Sequence, residues 1–415
     1  MLGLPKLARQ RGQPGAGQGV ADQQHVARIK GLGEQACFVE ALAEFAPQQQ
    51  VHAVGEGGAR FGIHGVGSWR QCARAKEVSP SPRWLNCRPG AQFRQPVIFK
   101  FIESEQKRMI PSSVTLVEVG PRDGLQNEAL PVSAAQKVEL VQRLQAAGCR
   151  EIEVTSFVSP KWVPQMADNT EVMAAITRRP GVRYSVLTPN LKGLEAALPT
   201  KPDEIVVFGA ASEAFSQRNI NCGVEESIER FRPVVAAAHA AGIKVRCAVS
   251  CALGCPYQGE VSADEVERVV RLMKAIGVDH CGIADTIGVG TPLRVRAAME
   301  RALKHFPITQ VSGHFHDTYG QALANIHACL QMGLHTFDTS VAGLGGCPYA
   351  KGATGNVATE DVVFMLQGMG IHTGIDLDKL VDAGARISDV LGRPPVSRAG
   401  KALLARRARV LEVAS

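Results

Sequence analysis

The amino-acid sequence predicts an α/β fold: a (β/α)8 TIM barrel over residues 109–390, with a poorly structured N-terminal extension (1–108) and a short C-terminal helical region (391–415). Three observations predict it. From residue 114 onward, short apolar, β-branched runs alternate eight times with amphipathic helical stretches. The eight units fill about 250 residues, the length expected of such a barrel. The first strand ends in GPRDGLQNE, where the competing architecture, a doubly wound open sheet, normally carries a glycine-rich phosphate turn.

Strands are expected at 114–119 (VTLVEV), 151–155 (EIEVT), 182–187 (VRYSVL), 204–209 (EIVVFG), 244–250 (KVRCAVS), 280–285 (HCGIAD), 310–316 (QVSGHFH) and 336–341 (TFDTSV). Helices lie between them, such as SAAQKVELVQRLQAAG (133–148) and SADEVERVVRLMKAIG (262–277). Each begins with a serine whose hydroxyl can accept bonds from the free first-turn amides. Each ends at a glycine suited to the left-handed cap.

Residues 1–108 read differently. RQRGQPGAGQG and APQQQ are rich in Gln, Gly and Pro, and periodicity is short and broken. A targeting segment, a small accessory domain and upstream sequence ahead of an ordinary start at Met109 all compete; an extension without its own core is the expectation.

Composition narrows the function. Hydrophobic residues make up 45% and charged residues 20%, which is ordinary for a globular protein. No apolar run is long enough to span a membrane, so no membrane partner is expected. The net charge of +7 is confined to one region: residues 1–108 hold 15 basic and 8 acidic side chains, and the remainder holds 31 of each. A neutral body gives no support to a nucleic-acid partner. Eleven scattered cysteines, an odd number, do not form a disulfide framework. They favour a reducing compartment, the cytoplasm, with the mitochondrial matrix as the alternative.

In a barrel of this kind, reacting groups gather where strands end. Strand one gives Arg122 and Asp123, strand two Glu153, strand six Asp285, and strand seven His314 and His316. The loop after strand eight gives Cys347 and Asn356. Residues i and i+2 of a strand share a face, so both histidines can point inward. Two imidazoles with the Asp123 carboxylate and the Asn356 amide form a mixed nitrogen and oxygen set. It suits Mg²⁺, Mn²⁺ or Zn²⁺, with positions left for substrate. A hydrogen-bonded core pair or a general base is the competing reading of the histidines. GLGGCPYAKGATGN (343–356) holds five glycines in fourteen residues, which suits a loop that closely approaches a ligand. Its Cys347 could give or take a proton. Cys247, Cys251 and Cys255 are too widely and evenly spaced for a metal knuckle, and read as buried core.

Taken together, VEVGPRDGLQNE (117–128), TSFVSPKWVPQM (155–166), VLTPNLKG (186–193), SCALGCPY (250–257), DTIGVGTP (285–292), HDTYGQALAN (316–325) and VAGLGGCPYAKGATGNVATED (341–361) resemble the hydroxymethylglutaryl-CoA lyase family, from about residue 113 to about residue 390. The resemblance implies a divalent cation, most simply Mg²⁺ or Mn²⁺, held by Asp123, His314, His316 and Asn356. It implies catalytic roles for Arg122, Cys347, Glu153 and Asp285, and substrate contacts from Arg122 and Gln126. The substrate would be a CoA thioester, 3-hydroxy-3-methylglutaryl-CoA, cleaved to acetyl-CoA and acetoacetate; a homo-oligomer, a dimer, is expected. Where the family commonly reads His-Cys-His, this chain reads His314-Phe315-His316; the middle residue points away from the ion. A condensing synthase of the isopropylmalate or homocitrate type is the nearest rival. It resembles the glycine loop less and normally carries a longer C-terminal region than the roughly 60 residues that follow Asn356. A binding protein that uses the basic first quarter is a rival of a different class.

Overall fold

The structure, a computed structural model, describes residues 110–346 and 355–414, and the backbone of two short strands, His52–Val54 and Arg60–Gly62, which pair antiparallel. Apart from those strands, the expectation for residues 1–108 lies outside the described residues.

Eight parallel strands close into a barrel: β1 (Thr115–Glu118), β2 (Glu151–Ser156), β3 (Arg183–Leu187), β4 (Glu204–Ala210), β5 (Lys244–Ser250), β6 (His280–Asp285), β7 (Val311–Phe315) and β8 (Thr336–Thr339). Closure is made by β8, which pairs with β1 from Thr336↔Thr115 to Thr339↔Glu118 and with β7 through Phe337↔Gly313 and Asp338↔His314. The helices are α1 (Ala134–Ala146), α2 (Asn169–Ala175), α3 (Leu191–Ala197), α4 (Glu213–Ile220), α5 (Val224–Ala240), α6 (Ala263–Ala275), α7 (Pro292–Leu303), α8 (Ala322–Gln331), α9 (Thr359–Gly368), α10 (Leu377–Val390) and α11 (Arg398–Ala414).

The expected caps form. Ser133 and Ser262 each make a reciprocal capping box, with Gln136 and Glu265, ahead of α1 and α6. Gly148 and Gly277 follow those helices at φ +98° and +97°, a conformation that costs glycine little.

Alternation along the strands divides the core. Ile152, Val154, Val245, Cys247 and Val249 are buried on the face toward the helices. The other face carries Glu153, Ser185, Arg246, Ser312 and Asp338, all buried inside the barrel. Buried charge is tolerated only when paired, and pairing inside the lumen is what shapes the site. The seven described cysteines are all buried and form no disulfide, as small core side chains.

The eighth strand is two residues shorter than the sequence suggests. It stops at Thr339, and Val341–Gly343 form a single 3₁₀ turn in which Ala342 has φ +57°. Two buried carboxylates hold the turn. Glu118 accepts from the Val341 amide at 2.9 Å, and Glu360 accepts from the Ala342 amide at 2.9 and 3.0 Å. The 391–415 segment carries α11, whose start is tied to Asp361: Ser397 Oγ and the Ala399 amide each donate to Asp361 Oδ1 at 2.7 Å.

Candidate active site

β1 runs into a π-helical turn, Gly120–Gly124, in which the amides of Arg122, Asp123 and Gly124 all donate to the Val119 carbonyl, at 3.1, 2.8 and 3.1 Å. This tight turn puts Arg122 and Asp123 at the barrel mouth on consecutive positions. Glu153, buried on β2, grips Arg122 in a bidentate pair: Nε to Oε1 at 2.7 Å and Nη2 to Oε2 at 3.0 Å. Arg122 Nη1 reaches Asp123 Oδ1 at 2.6 Å. Burial by itself would raise the Asp123 carboxyl. The Arg122 guanidinium, the two imidazoles and the Asn356 amide outweigh it and hold Asp123 well below the usual carboxylate range.

The two imidazoles lie with ring centres 5.3 Å apart, His314 at the end of β7 and His316 just beyond it. Asn356 is delivered by the backbone. It is the antiparallel bridge partner of His316; the Val357 amide donates to the Phe315 carbonyl at 3.1 Å, and the Asp317 amide to the Gly355 carbonyl at 2.9 Å. From there Asn356 Nδ2 donates to Asp123 Oδ2 at 2.8 Å. Gly345 explains one glycine of the loop: it sits at φ +109°, and a Cβ there would lie 2.9 Å from Asn356 Nδ2.

Asp123, His314 and His316 each offer a ligand atom, all within 4.8 Å of one another. The residues fit a divalent cation on two grounds. The donors are one carboxylate oxygen and two ring nitrogens, with an amide side chain alongside. The buried Nδ1 of His316 has no hydrogen-bond partner among the described residues, which is a costly state for a ring nitrogen without a ligand. Burial and the neighbouring His314 push His316 down to about 4, so it is neutral and free to ligate near pH 7.

Asp285, Gln126 and Cys347 complete the expected set. Asp285 is fully buried, and its two oxygens take the Val289 and Gly290 amides at 3.1 and 2.8 Å. Its carboxylate organises the loop after β6, and burial raises it to about 6. Gln126 is half-buried on the segment that follows the π-helical turn. Cys347 lies outside the described residues.

Sequence reading missed Asp338, Arg246, Glu118 and Glu360. Asp338 Oδ2 faces His314 Nδ1 at 3.2 Å, and its Oδ1 pairs with Arg246 Nη2. Burial would raise Asp338, but Arg246 and His314 bring it to about 2. Its signal was present, an aspartate inside the β-branched strand TFDTS, but nothing local connects that strand to His314.

Comparisons with known proteins place the chain in a family. The HMGL-like family model covers residues 113–387. A Pseudomonas aeruginosa protein named 3-hydroxy-3-isohexenylglutaryl-CoA/hydroxy-methylglutaryl-CoA lyase is 58% identical over 297 residues, 72% of this chain and 99% of its own length. The chicken mitochondrial hydroxymethylglutaryl-CoA lyase is 54% identical over 292 residues, 70% of this chain and 98% of its own. A crystal structure of hydroxymethylglutaryl-CoA lyase from Pseudomonas aeruginosa superposes with a TM-score of 0.71 at 58% identity, covering 72% of this chain and 99% of that one.

Proposed function

The chain belongs to the HMGL-like family, and from that premise we propose that it cleaves 3-hydroxy-3-methylglutaryl-CoA to acetyl-CoA and acetoacetate at the barrel mouth. One observation carries the reading: Asp123, His314 and His316 converge on a common point beside a fixed guanidinium. With Asn356 they would hold a divalent cation, Mg²⁺ or Mn²⁺, whose Lewis acidity lowers the pKa of a tertiary alcohol and fixes its orientation.

The protein's own groups supply the rest. Arg122 has five N–H donors. Three are engaged by Glu153 and Asp123, which leaves one on Nη1 and one on Nη2 for substrate. As the carbon–carbon bond breaks, its electron pair moves into the acetyl-CoA fragment. Negative charge grows on the thioester oxygen, where a preorganised guanidinium stabilises it. Glu153 holds that guanidinium in place before substrate arrives. The hydroxyl proton needs an acceptor. Glu153 and Asp285 each keep lone pairs beyond the hydrogen bonds they already accept, so either carboxylate can take it, whereas a neutral imidazole that ligates through one nitrogen carries its proton on the other. Cys347 is assigned the final step, protonation of the enolate carbon, on the strength of its place in the glycine-rich segment that delivers Asn356.

The relatives above are named as lyases, so the condensing-synthase alternative finds no support in them. Incubation with hydroxymethylglutaryl-CoA and Mg²⁺ or Mn²⁺ should yield acetoacetate and acetyl-CoA in equal amounts. Turnover of a 2-oxoacid with acetyl-CoA, and no acetoacetate, would overturn the assignment. A parallel incubation with 3-hydroxy-3-isohexenylglutaryl-CoA, a substrate in the Pseudomonas relative's name, shows whether a long 3-substituent is accepted. We propose a reducing compartment, the cytoplasm or the mitochondrial matrix, which suits seven described thiols that form no disulfide. Fractionation of the source cells checks this, since the chicken relative is named as mitochondrial.

A further inference from the structure

We propose that Asp338 is a positioning residue that sets the tautomer of His314, so that a lone pair of Nε2, and not its proton, faces Asp123 and the cation. The two ring nitrogens of His314 look in opposite directions. Nδ1 lies 3.2 Å from Asp338 Oδ2, and Nε2 lies 4.0 Å from Asp123 Oδ2, beyond hydrogen-bond distance. Asp123 Oδ2 is already engaged by Asn356 Nδ2 at 2.8 Å. Among the described residues, the only hydrogen bond on the ring is therefore the one behind it.

That rear contact is rigid. Asp338 and His314 are register partners on β8 and β7, so the strands themselves hold the carboxylate beside the imidazole. The other oxygen of Asp338 is paired with Arg246 Nη2, and the same Nη2 donates to Ser312 Oγ at 3.0 Å. A carboxylate clamped by a guanidinium only accepts hydrogen bonds. It can therefore face only a protonated Nδ1, and in neutral imidazole this leaves Nε2 unprotonated. His316 has no such arrangement: among the described residues its Nδ1 has no partner. The two imidazoles of the H-x-H pair thus differ in function. Only His314 has its ligating edge chosen by a residue on another strand.

The inference rests on the metal-site reading, and the test separates the two. Mn²⁺ affinity is measured by electron paramagnetic resonance for the wild-type chain, Asp338→Asn and Asp338→Ala. In Asp338→Asn, the amide oxygen must face the Arg246 donors, so the NH₂ faces Nδ1 and forces the ring proton onto Nε2. A loss of about 10- to 100-fold in Mn²⁺ affinity is expected, the size typical for a displaced partner of a ligating histidine. Asp338→Ala removes the acceptor without presenting a donor, so it should bind Mn²⁺ more tightly than Asp338→Asn while melting at a lower temperature. A purely structural role predicts the reverse order of affinities, because the isosteric amide would then be the milder change. Wild-type affinity in Asp338→Asn, or that reversed order, overturns the proposal. Should Asp338→Ala not fold, histidine ¹⁵N resonances of the Mg²⁺-saturated wild-type chain decide. A proton on Nδ1 of His314 is expected, and a proton on Nε2 overturns the assignment. If the wild-type chain binds no Mn²⁺ at all, the metal reading itself falls and takes this inference with it.

Discussion

His316 and Asn356 face each other across a single antiparallel bridge between the end of β7 and the far end of the glycine-rich segment. The bridge sets Asn356 Nδ2 2.8 Å from Asp123 Oδ2 and so joins three distant parts of the chain at one point. Asn356→Ala should remove that charge-assisted hydrogen bond and one oxygen donor. Hydrogen bonds to charged groups contribute about 1.5–3 kcal/mol, so a loss of roughly 10- to 100-fold in Mn²⁺ affinity is expected. The metal-free protein holds the same hydrogen bond, so its melting temperature should fall as well, by a few degrees. Titration calorimetry and thermal denaturation of the same preparation check both statements.

Glu153 serves Arg122. Both partners are buried, and removing one leaves the other charge poorly compensated. Glu153→Ala should destabilise the protein by about 3–5 kcal/mol and reduce kcat. Glu153→Gln keeps the shape and one acceptor, so it should fold more stably than the alanine variant yet still turn over slowly, because the guanidinium is no longer held at two points. Urea denaturation and steady-state kinetics on both variants separate stability from catalysis; a fully active Glu153→Ala would refute the clamp.

The carboxylates that hold the turn after β8 make stability depend on pH. Burial raises Glu118 to about 7 and Glu360 to about 8, from 4.5. The folded state therefore binds their protons more tightly than the unfolded chain, and this stabilisation is lost as pH rises through the folded values. His280 and His316 are shifted the other way, to about 3 and about 4, and their opposing effect ends near 6.5, above which they are neutral in both states. Between pH 6.5 and about 8 the carboxylates dominate and stability should fall. Denaturation midpoints across that range test the sign, and Glu360→Gln should flatten the upper part of the slope.

The barrel's first strand begins at Thr115. A chain that starts at Met109 should retain Mn²⁺ affinity and lyase activity within about twofold of the full chain, as expected if residues 1–108 form an extension without a core of their own. Expression of the shortened chain, followed by the acetoacetate assay, reads this directly. Insolubility or lost activity would make the first 108 residues a working domain.

The repeating pattern of β-branched runs and capped helices was legible because it is local. Ser133 with Gln136, and Ser262 with Glu265, carry their helix starts within four residues. The eight-strand count, the polar strand ends and the H-x-H spacing are likewise properties of short windows. Alternation alone says that His314 and His316 share a face, and composition alone says that the two imidazoles, a carboxylate and an amide can hold a hard cation.

Which groups stand behind the site was decided only by closure of the barrel. Asp338 reads as one more polar residue in a strand until β8 pairs with β7 and sets it against His314. Glu118 and Glu360 shorten the eighth strand from positions 223 and 18 residues away from the amides they hold. Each of these contacts joins residues with no local relation. The candidate ligands and the barrel that carries them were therefore legible in the sequence, while the partners that orient those side chains depended on strand register, which long-range burial and charge pairing alone settle.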